Sequence, residues 1–316
     1  MTSVASSRRK RALRIDANFT EDVVGFALES FLTAMSFPSL RFTIEPFSRD
    51  KERWLGADAR LHSRISGFRP FYMQFKRPSA YPDFSTAGII KDRKNLKLGV
   101  SPRALYFDLR AKKDHHHDFQ HNILFKLRRR LRNRGIGEAA YVCPLFLDRA
   151  AYRSNLHWAG LLLWRGFWKG NPWSLEKILL HHGRTVNHFE RIPVLAEHIT
   201  VPPHVDVTSA KHRYSFTESG TDLCFHSPQS LPEGVMSFAK FLSVVCEGFT
   251  EDGNKIQPNQ ANQELYELIK ATEAAVPDEL RFDEKDDDFV GNWFAWGDHL
   301  LQQYGIQQYA LVSWED

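Results

Sequence analysis

The stretch GADARLHSRISGFRPFYMQFKRP, residues 56–78, carries the pattern on which the reading of the fold turns. Phe71, Met73 and Phe75 alternate with Tyr72, Gln74 and Lys76, the period-two pattern of a strand with two different faces. A second strand-like piece, 56–65, precedes it and carries Asp58. Gln74 and Lys76 share one face of the later strand, because successive side chains point to opposite sides. Hydrolysis of a phosphodiester needs a divalent cation to neutralise the phosphate and a water activated in line with the scissile bond. An acid on one strand, and an oxygen-bearing side chain two residues before a lysine on the next, can supply both. Mg²⁺ (or Mn²⁺) would take the Asp58 carboxylate, the Gln74 amide oxygen and the Phe75 carbonyl, keeping several waters. Lys76 would orient the attacking water or stabilise charge developing on phosphorus, and Arg77 would hold a neighbouring phosphate. The plainer alternative is an ordinary hairpin with Asp, Gln and Lys on its surface.

Outward from this stretch, a helix is expected from about Thr20, with Glu21 and Asp22 in its first turn and Val23, Phe26, Ala27, Phe31 and Ala34 at helical spacing. Pro38 closes it. RFTIEPF (41–47) and PRALYFDLR (102–110) read as strands, DFQHNILFKLRRRLRNR as a helix stopped by Gly135, and AAYVCPLF (139–146) as a buried strand. The order helix, three strands, strand, helix, strand defines a mixed α/β core over residues 16–150, after a basic disordered arm at 1–15. Residues 151–316 form an acidic accessory region, either a separate domain or an extension of the core. Helices are expected there at 233–248 and 259–275, and a solvated acidic loop at 282–289.

GADARL followed by FYMQFKRP resembles motifs II and III of the PD-(D/E)XK, restriction-endonuclease-like nuclease superfamily. The glutamine variant is similar to that of Mrr-type restriction endonucleases. The resemblance covers about residues 16–146 and implies a restriction-endonuclease-like mixed-sheet core with a C-terminal α+β extension. It implies a motif I glutamate on the first helix, for which Glu21 and Glu29 compete, with Glu21 favoured because it opens the helix. Gln120 resembles the glutamine of the helix motif in RecB-like nucleases, although Leu124 stands where that motif has tyrosine. The implied activity is a metal-dependent nuclease acting on DNA before RNA, in restriction, repair or phage defence. Gln74 replaces the usual acid and removes one negative charge from the metal site. A catalytically inactive nucleic-acid-binding or assembly subunit is therefore the competing reading.

Charge supports a polyanionic partner. Residues 1–150 hold 29 Lys and Arg against 15 Asp and Glu, a balance of +14, and the remaining 13 and 23 leave residues 151–316 at −10. Lys126, Arg128, Arg129, Arg130, Arg132 and Arg134 crowd one helix with no acid between 119 and 137, so phosphate contact is expected of them. The acidic half is a candidate surface for a protein partner. His117 and His121 stand at chelating spacing, but no carboxylate or cysteine accompanies them, and zinc is not expected. Cys143, Cys224 and Cys246 lie far apart, as in a reducing cytoplasm. The longest apolar run is about seven residues, near Trp158–Trp164, which excludes a membrane-spanning helix.

Overall fold

The structure, a computed structural model, describes residues 13–36, 42–46, 65–150, 153–154, 195, 197–227, 229–231, 235–250, 254–282 and 288–314. Helix α1 (Glu21–Ser36) leads to β2 (Phe42–Pro46), following a two-residue strand β1 (Ile15–Asp16). The stretch 56–78 contains one long strand, β3 (Ile65–Phe75), while its first part, 56–64, lies outside the described residues. Next come β4 (Ser79–Pro82), α2 (Gly88–Asn95), β5 (Arg103–Asp108), α3 (Gln120–Arg134) and β6 (Glu138–Pro144). The C-terminal half adds strands β7 (His198–Val201), β8 (Arg213–Thr217), β9 (Cys224–Phe225), β10 (Gln229–Ser230) and β11 (Met236–Ser237). Helices α4 (Phe238–Thr250), α5 (Ala261–Thr272) and α6 (Phe289–His299) and strand β12 (Gln307–Trp314) complete it.

These strands build two six-stranded sheets in a mixed α/β fold. The central sheet has the order β11-β7-β6-β3-β12-β2. Its β3 and β6 run parallel, Phe71 opposite Glu138 through Phe75 opposite Val142, and the remaining pairs are antiparallel. The second sheet, β1-β4-β5-β8-β9-β10, is wholly antiparallel. The PRALYFDLR strand therefore belongs to the second sheet, not to the core beside β3. Both sheets draw strands from either side of residue 150, so that position does not separate them.

Both faces of β3 are covered, and Phe71, Tyr72 and Met73 are fully buried. Helices α1 and α4 cover one face: a Cβ on Gly25 would lie 3.0 Å from the Phe75 ring, and Phe71 meets Phe241 at 6.2 Å between centroids. The other face meets α3 and α6, with Phe68 edge-on to Trp293 at 5.0 Å and Gln308 Nε2 donating to the Trp293 carbonyl. The alternation in FYMQFK therefore separates two buried faces, not a wet one from a dry one. Along one edge, β3 pairs with β12 from Ile65 to Met73, the place expected for the Asp58 strand. Helix α3 ends at Gly135 in the left-handed conformation (φ 70°), as its stop was read. Among the described residues no helix is long and apolar enough to cross a membrane.

Candidate active site at the end of β3

Lys76 stands where the chain leaves the central sheet for the second one. Its backbone N–H donates to the Val142 carbonyl at 2.9 Å, so the strand's hydrogen bonding persists one residue beyond β3. Its side chain, 2% exposed, runs inward with Gln74, which is 1% exposed. The Lys76 ammonium donates to Gln120 Oε1 at 3.3 Å and sits 5.4 Å from the centroid of the Tyr141 ring. Burial pushes this ammonium down from 10.5 to about 8, and Glu21 and Asp108 oppose the fall while Arg110 adds to it.

The amine borders a cavity of about 400 Å³ whose polar walls come from four elements of sequence. Arg14 belongs to the strand-leading segment, Glu21 opens α1, Lys76 and Arg77 follow β3, and Asp108 and Arg110 end β5. With Asp22, the lining counts four cations and three carboxylates. Glu21 accepts from Arg110 at 2.5 Å, and Asp108 pairs with Arg213 at 3.1 Å. Of the two glutamates considered on α1, Glu21 lines the cavity and Glu29 does not. Eight residues separate them, about 12 Å along a helix, so one site takes only one of them. Asp58 lies outside the described residues.

Two observations bear on a cation. Among the described residues no three His, Cys, Asp or Glu side chains come together as a metal site. Against this, Gln74 Oε1 is buried with no hydrogen-bond partner. Such an orphan acceptor costs about 1–3 kcal/mol unless something answers it. A carboxylate and an amide oxygen are donors of the kind a hard cation takes, but of the two residues Glu21 lines the cavity and Gln74 does not. Phe75 packs its ring against α1 and lies opposite Val142 in the β3–β6 ladder.

The basic helix is not what its sequence suggested. Lys126 pairs with Asp118 at 2.6 Å, Arg128 with Glu138 at 3.0 Å, and Arg132 with Glu138 at 3.8 Å. Arg130 faces Glu264 and Glu267 at 3.9 and 3.5 Å, and Arg134 also holds Glu264. The missing acids come from just outside 119–137 and from α5, which packs against α3. Exposed Arg129 stacks over Phe125 at 5.6 Å. Mutual repulsion, the reason for assigning Lys126, Arg128, Arg130, Arg132 and Arg134 to phosphate, is thus relieved within the chain. The histidines are likewise engaged. His121 lies 2.8 Å from both the Tyr141 hydroxyl and the Val205 carbonyl, and burial lowers its pKa to about 4. His117 turns instead to Thr272 and Glu273.

Asp108, Arg110 and Arg14 were not singled out from sequence, although Asp108 closes a strand that was. Nothing local marks them, because they reach Lys76 only through the pairing of the second sheet. Comparison with family models, curated proteins and solved structures finds no match to this chain.

Proposed function

We propose that the chain is a metal-dependent nuclease on a restriction-endonuclease-like core, cutting phosphodiester bonds, in DNA before RNA, at the end of β3. One observation carries this reading: a buried ammonium stands two residues beyond a buried, unpartnered amide oxygen, beside a cavity opened by the first residue of α1. The sequence of elements α1, β3, α3 and β6, with β3 and β6 parallel, supports it. Glu21 and Gln74, with Asp58, would hold Mg²⁺, whose contribution is to neutralise the phosphate and acidify a water. Lys76, at about 8, can hold or release a proton at Nζ near neutral pH, the range useful for moving a proton to or from that water. Arg77 on the cavity wall would hold a flanking phosphate, while Arg14 and Arg110 are paired with Asp16 and Glu21. The assay is incubation with supercoiled, linear and single-stranded DNA and with RNA, in Mg²⁺ or Mn²⁺. Cleavage is expected from the wild type and not from Lys76→Ala; equal cleavage by both refutes the assignment.

A second reading, nucleic-acid binding without hydrolysis, draws on a different observation: Glu21 is committed to Arg110 and the cavity carries one cation more than it has carboxylates. Retained DNA binding with no cleavage of any substrate would select it.

A further inference from the structure

Resting on that reading of the site, we propose that Gln120 is a positioning residue for Lys76, held in that role by the C-terminal half through the carbonyl of Tyr304. Gln120 is 5% exposed and is satisfied at both ends of its amide. Oε1 accepts from the Lys76 ammonium, and Nε2 donates to the Tyr304 carbonyl. An ammonium can only donate and a carbonyl can only accept, so one orientation of the amide meets both partners. Glutamate would set an oxygen against the Tyr304 carbonyl, and an apolar side chain would meet neither group.

Tyr304 ends a five-residue π turn, Leu300–Tyr304, which follows α6 directly. Single π turns occur mostly as bulges in α-helices and are frequent at functional sites. Gly305 follows in the left-handed conformation (φ 64°), and its amide donates to the Leu301 carbonyl at 2.9 Å. A Cβ there would come within 3.4 Å of Arg110 Nη1 and 3.6 Å of Gln120 Nε2. The turn therefore touches both limbs of the site, the amide that holds Lys76 and the guanidinium that holds Glu21.

The far end of Tyr304 is anchored independently. Its hydroxyl lies 3.2 Å from His117 Nδ1 and 3.4 Å from Glu273 Oε2. The Glu273 side chain, 6% exposed, also meets His117 and His299 at 3.1 Å each. Tyr304 is held at both ends, its hydroxyl by His117 and Glu273 and its carbonyl by Gln120. Residues 300–305 thus complete a site whose remaining parts come from the first half of the chain.

The test is the rate at which acetic anhydride modifies Lys76 in the full-length protein at one fixed pH near neutrality, read by peptide mass spectrometry against exposed lysines of the same molecule. Gln120→Leu removes the acceptor and should speed modification several-fold. Gln120→Glu supplies a carboxylate, which favours the unreactive ammonium, and should slow it by on the order of tenfold. Gly305→Ala should act in the direction of Gln120→Leu by displacing the turn. Opposite effects of leucine and glutamate separate positioning from simple damage to the fold, which would speed modification in both. Equal rates in wild type, Gln120→Leu and Gln120→Glu overturn the proposal, and an unmoved rate in Gly305→Ala removes the C-terminal turn from it. Absence of cleavage alongside the expected labelling pattern would refute nuclease activity and leave the positioning intact.

Discussion

Replacing Lys76 with methionine should make the protein more stable at neutral pH. The stem keeps a similar length and the charge disappears. The gap between 10.5 and about 8, at 1.36 kcal/mol per pKa unit, is roughly 3 kcal/mol of penalty for keeping the ammonium protonated in the fold. Methionine leaves Gln120 Oε1 without its donor, which returns about 1–2 kcal/mol of that gain. Lys76→Met should therefore be more stable than wild type by roughly 1–2 kcal/mol at pH 7. The pH dependence has a definite sign. Between about pH 8 and 10.5 the unfolded chain binds the proton at this site more tightly than the folded one, so wild type gains stability as pH rises through that window. The variant has no such group, and its advantage should shrink and then reverse. Urea unfolding of both proteins from pH 7 to pH 10, compared as a difference so that other titrations cancel, measures it. A variant less stable than wild type at pH 7, with a difference flat across the range, would mean that the ammonium is well solvated in the native protein and that the buried-lysine argument is wrong.

Three further outcomes follow from the same geometry. Neutralising Arg128, Arg129 and Arg130 together should leave the salt dependence of DNA binding nearly unchanged, because two of the three are spent on Glu138, Glu264 and Glu267, whereas Arg77→Ala should lower the slope by about 1 in fluorescence anisotropy titrations. Gly137→Ala would set a Cβ 2.3 Å from the Pro70 carbonyl oxygen, backbone against backbone, and should cost about 3 kcal/mol in denaturant unfolding. Burial holds His121 near 4 against an ordinary 6.5, so its contribution is intact above pH 6.5 and falls away as pH drops toward 4; acid unfolding of His121→Phe should show that limb flattened by up to about 3 kcal/mol.

The elements legible in the sequence were those whose evidence is local. Helices α1 and α3 declared themselves by apolar spacing and by Gly135, β3 by its period-two alternation and β6 by its apolar run. The helix expected at 259–275 appears as Ala261–Thr272, and that expected at 233–248 as Phe238–Thr250. What escaped depends on partners far away in the chain. QQYALVSW alternates weakly, and only its insertion between β2 and β3, more than 230 residues upstream, makes it a central strand. GIIKDRKN, to which no element was assigned, is α2; it is helical because Ile90 buries against Ala104 of the second sheet and Arg93 is held by Ser215 and by the Gly99 and Asp222 carbonyls. In the site, the spacing of Gln74 and Lys76 was readable because it lies within one strand. Glu21 was favoured over Glu29 because it opens the helix, and of the two it is Glu21 that lines the cavity.

The charge asymmetry between the two halves acquires a different meaning from these contacts. A basic first half and an acidic second half suggested two external partners, yet much of the charge is matched inside the molecule. Glu264 sits nearly buried between Arg130 and Arg134, and Glu218 from the acidic half holds Arg103. Interactions of this kind fix where α5 lies against α3, and α5 carries into Glu273, the anchor of Tyr304. Cations so matched are poor candidates for phosphate, because a ligand would have to displace a carboxylate already desolvated beside them. At the cavity Arg14 and Arg110 are likewise paired, with Asp16 and Glu21, which among the described residues leaves Lys76 and Arg77 as the cations without a carboxylate contact there. Of these Lys76 is the most deeply buried and gains least from water, so an incoming phosphate oxygen would relieve it most. Docking of the acidic half onto the basic helix thus leaves the end of β3 as the place where the proposed polyanionic substrate would be held.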